Sequence, residues 1–215
     1  MLETPLLETR AAYLKSYLSL QFNPKDEPFE ILSTIRYDPL LSNNSTELDQ
    51  LSFLLFDEHL HRLIYTLKYF NGGTSPLEIT SKQFLLELRK AITQSGLLIA
   101  TPKKRRVLVG MLGSLRVEVY NLGEKSDLWG ALDDSTASNR PLWDVYIDSE
   151  HTLISPFTSF KTTRRAHYTA ARERMLPGSN PGREEVLILD LKGRPIEGSI
   201  TNIAIRKGSS KEWIT

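Results

Sequence analysis

No cysteine occurs among the 215 residues. That absence removes thiolate nucleophiles, thiolate zinc sites and disulfide staples together. Charge of one sign is also missing. Lys and Arg number 27 against 26 Asp and Glu, a formal net charge of +1, far from the concentrated basic surface a bulk nucleic-acid binder needs to displace counterions. No uninterrupted apolar run approaches the roughly 18 residues of a membrane span. The first ten residues, MLETPLLETR, carry Glu3 and Glu8 and lack the basic-then-apolar order of a leader peptide. The expectation is a soluble, cytoplasmic protein whose partner is a small molecule, with neither nucleic acid nor membrane. Walker loops, dinucleotide fingerprints and the G-x-S-x-G elbow are missing as well.

What is present is ordinary for a globular chain: 40% apolar and 25% charged residues. The length suits one large domain or two small ones, enough to bury a core unaided. Residues 28–37, PFEILSTIRY, read as a strand, and DPLLSNNSTELDQ after them as a loop. Leu60, Leu63, Ile64 and Leu67 fall at helical spacing over 57–70, with Asp57 and Glu58 at the positive end and Asn71-Gly72-Gly73 as the stop. A second helix spans about 81–95. Its start has the capping-box spacing of Thr80 and Gln83, and Phe84, Leu85, Leu88 and Ile92 form its apolar stripe. Strands follow at 107–112, 115–120 and 143–148, separated by a long polar excursion over 121–140. TSFKTTRRAHYTAARERM reads as one helix ending at Pro177-Gly178. VLILDL, a turn at Lys192-Gly193 and ITNIAIRK complete a meander. The predicted class is α+β: residues 1–155 form a mainly antiparallel sheet with two helices, and 156–215 begin a second, β-rich domain.

Metal chemistry finds little support. His59 and His61 stand two apart on a helix, roughly 200° around its axis, and His151 and His167 lack partners at ligand spacing. The basic run Lys103-Lys104-Arg105-Arg106 reads as a solvated turn rather than a phosphate patch.

Three features hold more promise. Arg62, in His59-Leu60-His61-Arg62-Leu63, points away from the apolar stripe. It reads either as a solvated arginine or as a fork of donors suited to phosphate. Lys161, in Phe160-Lys161-Thr162-Thr163-Arg164-Arg165, is expected at a buried helix N-terminus. Positive charge and burial there would lower its pKa towards the neutral amine that Schiff-base chemistry needs; the alternative is a basic surface. Glu197, in Ile196-Glu197-Gly198-Ser199-Ile200-Thr201-Asn202-Ile203, precedes a glycine where the chain can bend sharply. It is either a turn glutamate or a carboxylate facing a site.

Taken in order, these segments resemble the class IV aminotransferase superfamily, the fold-type IV pyridoxal-phosphate enzymes. That superfamily has an H-L-x-R-L-like helix, then a lysine in a K-T-x-x-R-like stretch, then an E-G-S-x-x-N-I-like segment. Lys161 and Glu197 here are 36 positions apart, the spacing of that superfamily. FEILSTIRYDPLL and FDEHLHRLIYTLKYF look most like the fungal aminodeoxychorismate lyases within it. The resemblance implies pyridoxal 5'-phosphate, with Lys161 as its covalent anchor and proton shuttle, Glu197 on its ring nitrogen and Arg62 on its phosphate. It also implies supporting roles for Asn202 and Arg165, and places Arg36 and Tyr37 on the substrate side. The implied reaction releases 4-aminobenzoate and pyruvate from 4-amino-4-deoxychorismate, a step towards folate, in a homodimer. A branched-chain or D-amino-acid aminotransferase, or a non-enzymatic interaction module, are the alternatives. The resemblance further implies a cofactor domain continuing for several dozen residues past the E-G-S segment, so that 156–215 would hold only its beginning.

Overall fold

The computed structural model describes residues 28–42, 48–74, 78–122, 142–176, 183–206, 208 and 212–214. They form two compact units. The first comprises Met1–Tyr120 with Thr158–Thr163, the second Asn121–Phe157 with Arg164–Thr215. The division thus falls near 120 rather than 155, because the strand at Asp144–His151 pairs with the C-terminal meander.

In the first unit, β1 (Glu30–Tyr37), β2 (Lys103–Gly110) and β3 (Leu115–Asn121) form a sheet in that order. β1 and β2 run antiparallel, from Glu30 opposite Gly110 to Tyr37 opposite Lys103. Helices α1 (Phe56–Phe70) and α2 (Ser81–Gln94) cover one face. The helical spacing seen in the sequence is the packing seen here. Phe56, Leu60, Leu63 and Leu67 of α1 are buried with Phe84, Leu88 and Ile92 of α2 against Ile31, Ile35, Tyr37, Val107 and Val109. Each such aliphatic side chain contributes about 1.5–3 kcal/mol by leaving water. The Thr80–Gln83 capping box forms in both directions. Gly72, Gly73 and Gly96 adopt positive φ beyond the helix ends.

The basic run is not a solvated turn. Lys103 and Arg105 lie within β2 on its inward face and are fully buried. Lys103 Nζ donates to the carbonyls of Leu98 and Thr101, and Arg105 lies over the Tyr37 ring at 5.4 Å. Strand alternation places every second residue inward whatever its polarity.

In the second unit, β4 (Asp144–His151) pairs in parallel with β5 (Glu184–Leu189), and β5 pairs antiparallel with β6 (Pro195–Gly198). Helix α4 (Ala166–Met175) precedes β5, and a single helical turn, α3 (Pro156–Ser159), begins in this unit and ends in residues of the first. Tyr168 and Ala171 of α4 pack on Val186 and Ile188, and Arg174 makes a two-pronged contact at 2.9 and 3.0 Å with the buried Asp148 of β4. Gly193 takes φ +72° in the β5–β6 turn, as its residue type suggests. The expected strand over 200–207 is reduced to β7 (Ile205–Arg206), which pairs with β8 (Trp213–Ile214). The carboxylate of Glu185 holds the residues just before it in a turn instead. Among the described residues no helix is long and apolar enough to cross a membrane. The 121–140 excursion and the helix end at Pro177-Gly178 lie largely outside the described residues.

Candidate functional site

Arg62 occupies the polar side of α1, above β1. Its Nη2 donates to Ser33 Oγ at 2.7 Å and lies 3.1 Å from His59 Nδ1. Ser33 Oγ is itself 2.7 Å from the same ring nitrogen. Ser33 is fully buried, an inward residue of β1 that carries a hydroxyl where its neighbours Ile31 and Ile35 carry alkyl groups. Burial, then the charges of Arg62 and Lys161, lower the His59 pKa to about 4. The ring is therefore neutral near pH 7, and the network assigns Nδ1 as acceptor and Nε2 as the protonated nitrogen. Burial of its charged end also holds the Arg62 guanidinium below its ordinary value. The result is a cation fixed by two neutral neighbours, an arrangement that can receive a phosphate.

Lys161 does not begin a helix. α4 starts only at Ala166, and the side chain of Lys161 is exposed, so neither the helix terminus nor the burial expected of it is there. Residues 161–163 instead run along the edge of β1 opposite β2. Leu32 N donates to Lys161 O at 2.8 Å, Thr163 N to Glu30 O at 2.8 Å, and Glu30 N to Thr163 Oγ1 at 2.9 Å. Thr162 bridges Ile31. Phe160 anchors the segment on α1, with ring centroids 4.7 Å from Tyr69, 5.7 Å from Phe70 and 6.0 Å from Tyr65. Lys161 is thereby fixed through its backbone to Leu32, the residue preceding the Ser33 that receives Arg62.

In the second unit, Glu197 Oε1 accepts a hydrogen bond from the Tyr168 hydroxyl. Burial, reinforced by that bond, pushes the Tyr168 phenol up, which keeps the proton on the phenol and makes it the donor. Arg165 lies 4.1 Å over the Tyr168 ring and donates to Ser199 O at 2.6 Å. His167, beside it, is lowered to about 4 by burial and by Arg165. A carboxylate so placed can pair with a protonated ring nitrogen.

One residue missed by sequence reasoning organises this region. Glu185 of β5 is buried and receives Ser199 Oγ at 2.5 Å, Thr201 Oγ1 at 2.5 Å, Thr201 N at 2.7 Å and Val186 N at 2.8 Å. Burial opposes its ionisation, but the bonds from Ser199 and Thr201 outweigh this and hold the carboxyl below its usual value. The only available signal was a charged residue at the start of an apolar strand. Asn202 is exposed, and Ser199, Thr201 and Glu185 also hold the segment.

Arg36 and Tyr37, expected on the substrate side, are engaged within the first unit. Arg36 pairs with Asp38 at 2.7 Å. Tyr37 is 1% exposed in the core and donates to Ile99 O at 2.9 Å. Among the described residues no group of three His, Asp or Glu could hold a metal ion.

No protein-family model matches the chain. An aminodeoxychorismate lyase of Saccharomyces cerevisiae is 36% identical, over 76% of this chain and 54% of that protein. The chain thus spans about half the length of this curated relative. A protein of Mesorhizobium loti assigned as an amino-acid aminotransferase has a similar fold, with a TM-score of 0.56 at 21% identity over 80% of this chain and 67% of that one. A hypothetical aminotransferase of Mycobacterium tuberculosis, solved with α-ketoglutarate and PMP bound, gives 0.53 at 14% identity over 82% and 57%. Its PLP-bound form gives 0.52 with the same identity and coverage. The chain is thus similar in sequence to an aminodeoxychorismate lyase and in fold to solved aminotransferases.

Proposed function

We propose that this chain carries catalytic residues of a pyridoxal-phosphate-dependent aminodeoxychorismate lyase, which divides 4-amino-4-deoxychorismate into 4-aminobenzoate and pyruvate. One observation carries the reading. The lysine and the phosphate arginine, far apart in sequence, converge on adjacent residues of β1: Lys161 through Leu32 and Arg62 through Ser33. The residues fit the cofactor. In the first unit Arg62 with Ser33 suits its phosphate and the Lys161 amine its aldehyde carbon; in the second, the Glu197 carboxylate has the chemistry to partner a protonated ring nitrogen.

The cofactor would supply an electron sink when bound. Arg62, held by Ser33 and His59, would hold its phosphate. Lys161 Nζ would take and return the proton of the amine-bearing carbon. Glu197, with Tyr168 as its donor, would keep the ring nitrogen protonated. Departure of pyruvate leaves an aromatic ring, a driving force the protein need not provide. Arg36 and Tyr37, already engaged with Asp38 and Ile99, are left out of this site. Asn202 and Arg165 keep supporting places near Glu197. The proposal includes a cytoplasmic homodimer, which gel filtration and light scattering test.

The decisive experiment adds pyridoxal phosphate to the purified protein, reduces the adduct with borohydride and maps the modified peptide. Modification at Lys161, lost in Lys161→Ala, supports the reading, and modification elsewhere or none at all overturns it. Pyruvate release without a keto-acid acceptor marks the lyase. The aminotransferase folds of the structural neighbours favour a second reading, a transaminase, for which turnover would require that acceptor.

A further inference from the structure

Glu185 is a buried charge on β5, on the face of the strand opposite to that of Val186 and Ile188. Four donors from one short turn close around its carboxylate. Ser199 Oγ and Thr201 Oγ1 stand at 2.5 Å, Thr201 N at 2.7 Å and Ile200 N at 3.3 Å. The turn is fastened from its other side too. Ser199 N donates to Val186 O at 2.9 Å, Arg165 Nη2 to Ser199 O at 2.6 Å, and Arg172 Nη1 to Ser199 Oγ at 3.0 Å. Gly198 presses against the carboxylate so closely that a Cβ there would lie 3.0 Å from its carbon. The residue immediately before this turn is Glu197, opposite Ile188 in the β5–β6 ladder.

A buried carboxylate satisfied by this many donors costs the fold little, whereas one stripped of them is expensive. The turn therefore has one low-energy shape, the one that wraps Glu185. We infer that Glu185 is the positioning residue of Glu197: by gathering Gly198–Thr201 around its carboxylate it fixes where β6 ends, and so where the Glu197 carboxylate meets Tyr168. This rests on the cofactor reading only for the use made of Glu197. The positioning itself is a property of the second unit. It also removes the Ser199 and Thr201 hydroxyls from the donors available to a ligand, since both are spent on Glu185.

The test uses the full chain without cofactor. The ring signals of Tyr168, identified with Tyr168→Phe, are followed by NMR, and Glu197→Ala defines their position when the hydrogen bond is lost. In Glu185→Gln, which keeps the shape but leaves one acceptor oxygen where the turn needs two, they should move towards the Glu197→Ala position. Circular dichroism should stay native. Glu185→Asp, which keeps the charge on a shorter arm, should move them less. Unmoved Tyr168 signals in a folded but less stable Glu185→Gln would overturn the inference and leave Glu185 a purely stabilising residue. Pyridoxal phosphate is then added to the wild type. Failure to form the Lys161 adduct refutes the proposed function, while the Tyr168 comparison still decides the role of Glu185.

Discussion

Ser33 Oγ stands 2.7 Å from His59 Nδ1, a strand hydroxyl and a helix imidazole that share one guanidinium between them. His59 is held to about 4 by burial and by the charges of Arg62 and Lys161. The folded protein therefore binds fewer protons at this site than the unfolded chain between about pH 4 and the ordinary histidine value of about 6.5. Stability is unaffected by His59 above that range and falls as pH drops through it. NMR titration should show His59 protonating near pH 4, and His59→Asn should flatten the fall in melting temperature over that interval. A ring titrating near 6.5 would refute the desolvated, neutral histidine.

Arg62 should dominate phosphate affinity. A charged hydrogen bond contributes about 1.5–3 kcal/mol, so Arg62→Ala should weaken pyridoxal phosphate binding roughly ten- to hundredfold. Ser33→Ala removes a neutral partner that only orients the guanidinium, about 0.5–1.5 kcal/mol, for a loss of roughly two- to tenfold. Absorbance titrations measure both. Equal affinities in wild type and Arg62→Ala would sink the assignment.

Much of this was legible where local pattern and tertiary need coincide. The α1 stripe of Leu60, Leu63 and Leu67 and the Thr80–Gln83 cap follow from helical spacing, and the structure keeps them. Lys161 was harder. Its neighbours have helix-compatible residues, but the backbone donors of β1 claim the segment for strand pairing, and no window of local sequence contains that partner. Glu185 was invisible for the same reason, because its donors lie 14 to 16 positions away. His59 was weighed only as a metal ligand, whereas its partner is a hydroxyl on another element.

Phe160 should act as the anchor of the Lys161 segment. Its ring packs on Tyr65, Tyr69 and Phe70 but stays partly exposed. Phe160→Ala should therefore cost about 1–3 kcal/mol, below the range for a fully buried phenylalanine. The informative measurement is amide exchange. Leu32 and Thr163, whose N–H groups join β1 to residues 161–163, should exchange faster, while amides in the β1–β2 ladder hold. Uniform loss of protection across the first unit would mean that Phe160 supports the whole core rather than this edge.

Gly198 tests the turn from the opposite direction to a change at Glu185. A Cβ at this position would lie 2.7 Å from Thr201 O and 3.0 Å from the Glu185 carboxylate carbon. The first neighbour is backbone and cannot rotate away, and the second is pinned by Ser199 and Thr201. Gly198→Ala should thus destabilise by about 1–3 kcal/mol, the usual cost of overpacking a filled site. Gly193→Ala provides the comparison. There the obstacle is conformational, since φ is +72° and the nearest atom to a new Cβ is His151 Nε2 at 4.0 Å. The two losses should differ in kind. Gly193→Ala should lower the melting temperature and leave Tyr168 in place, whereas Gly198→Ala should lower it and shift the Tyr168 ring signals with the displaced turn. If Gly198→Ala melts like wild type, the turn yields more readily than its hydrogen bonds imply, and Glu197 is not held by it.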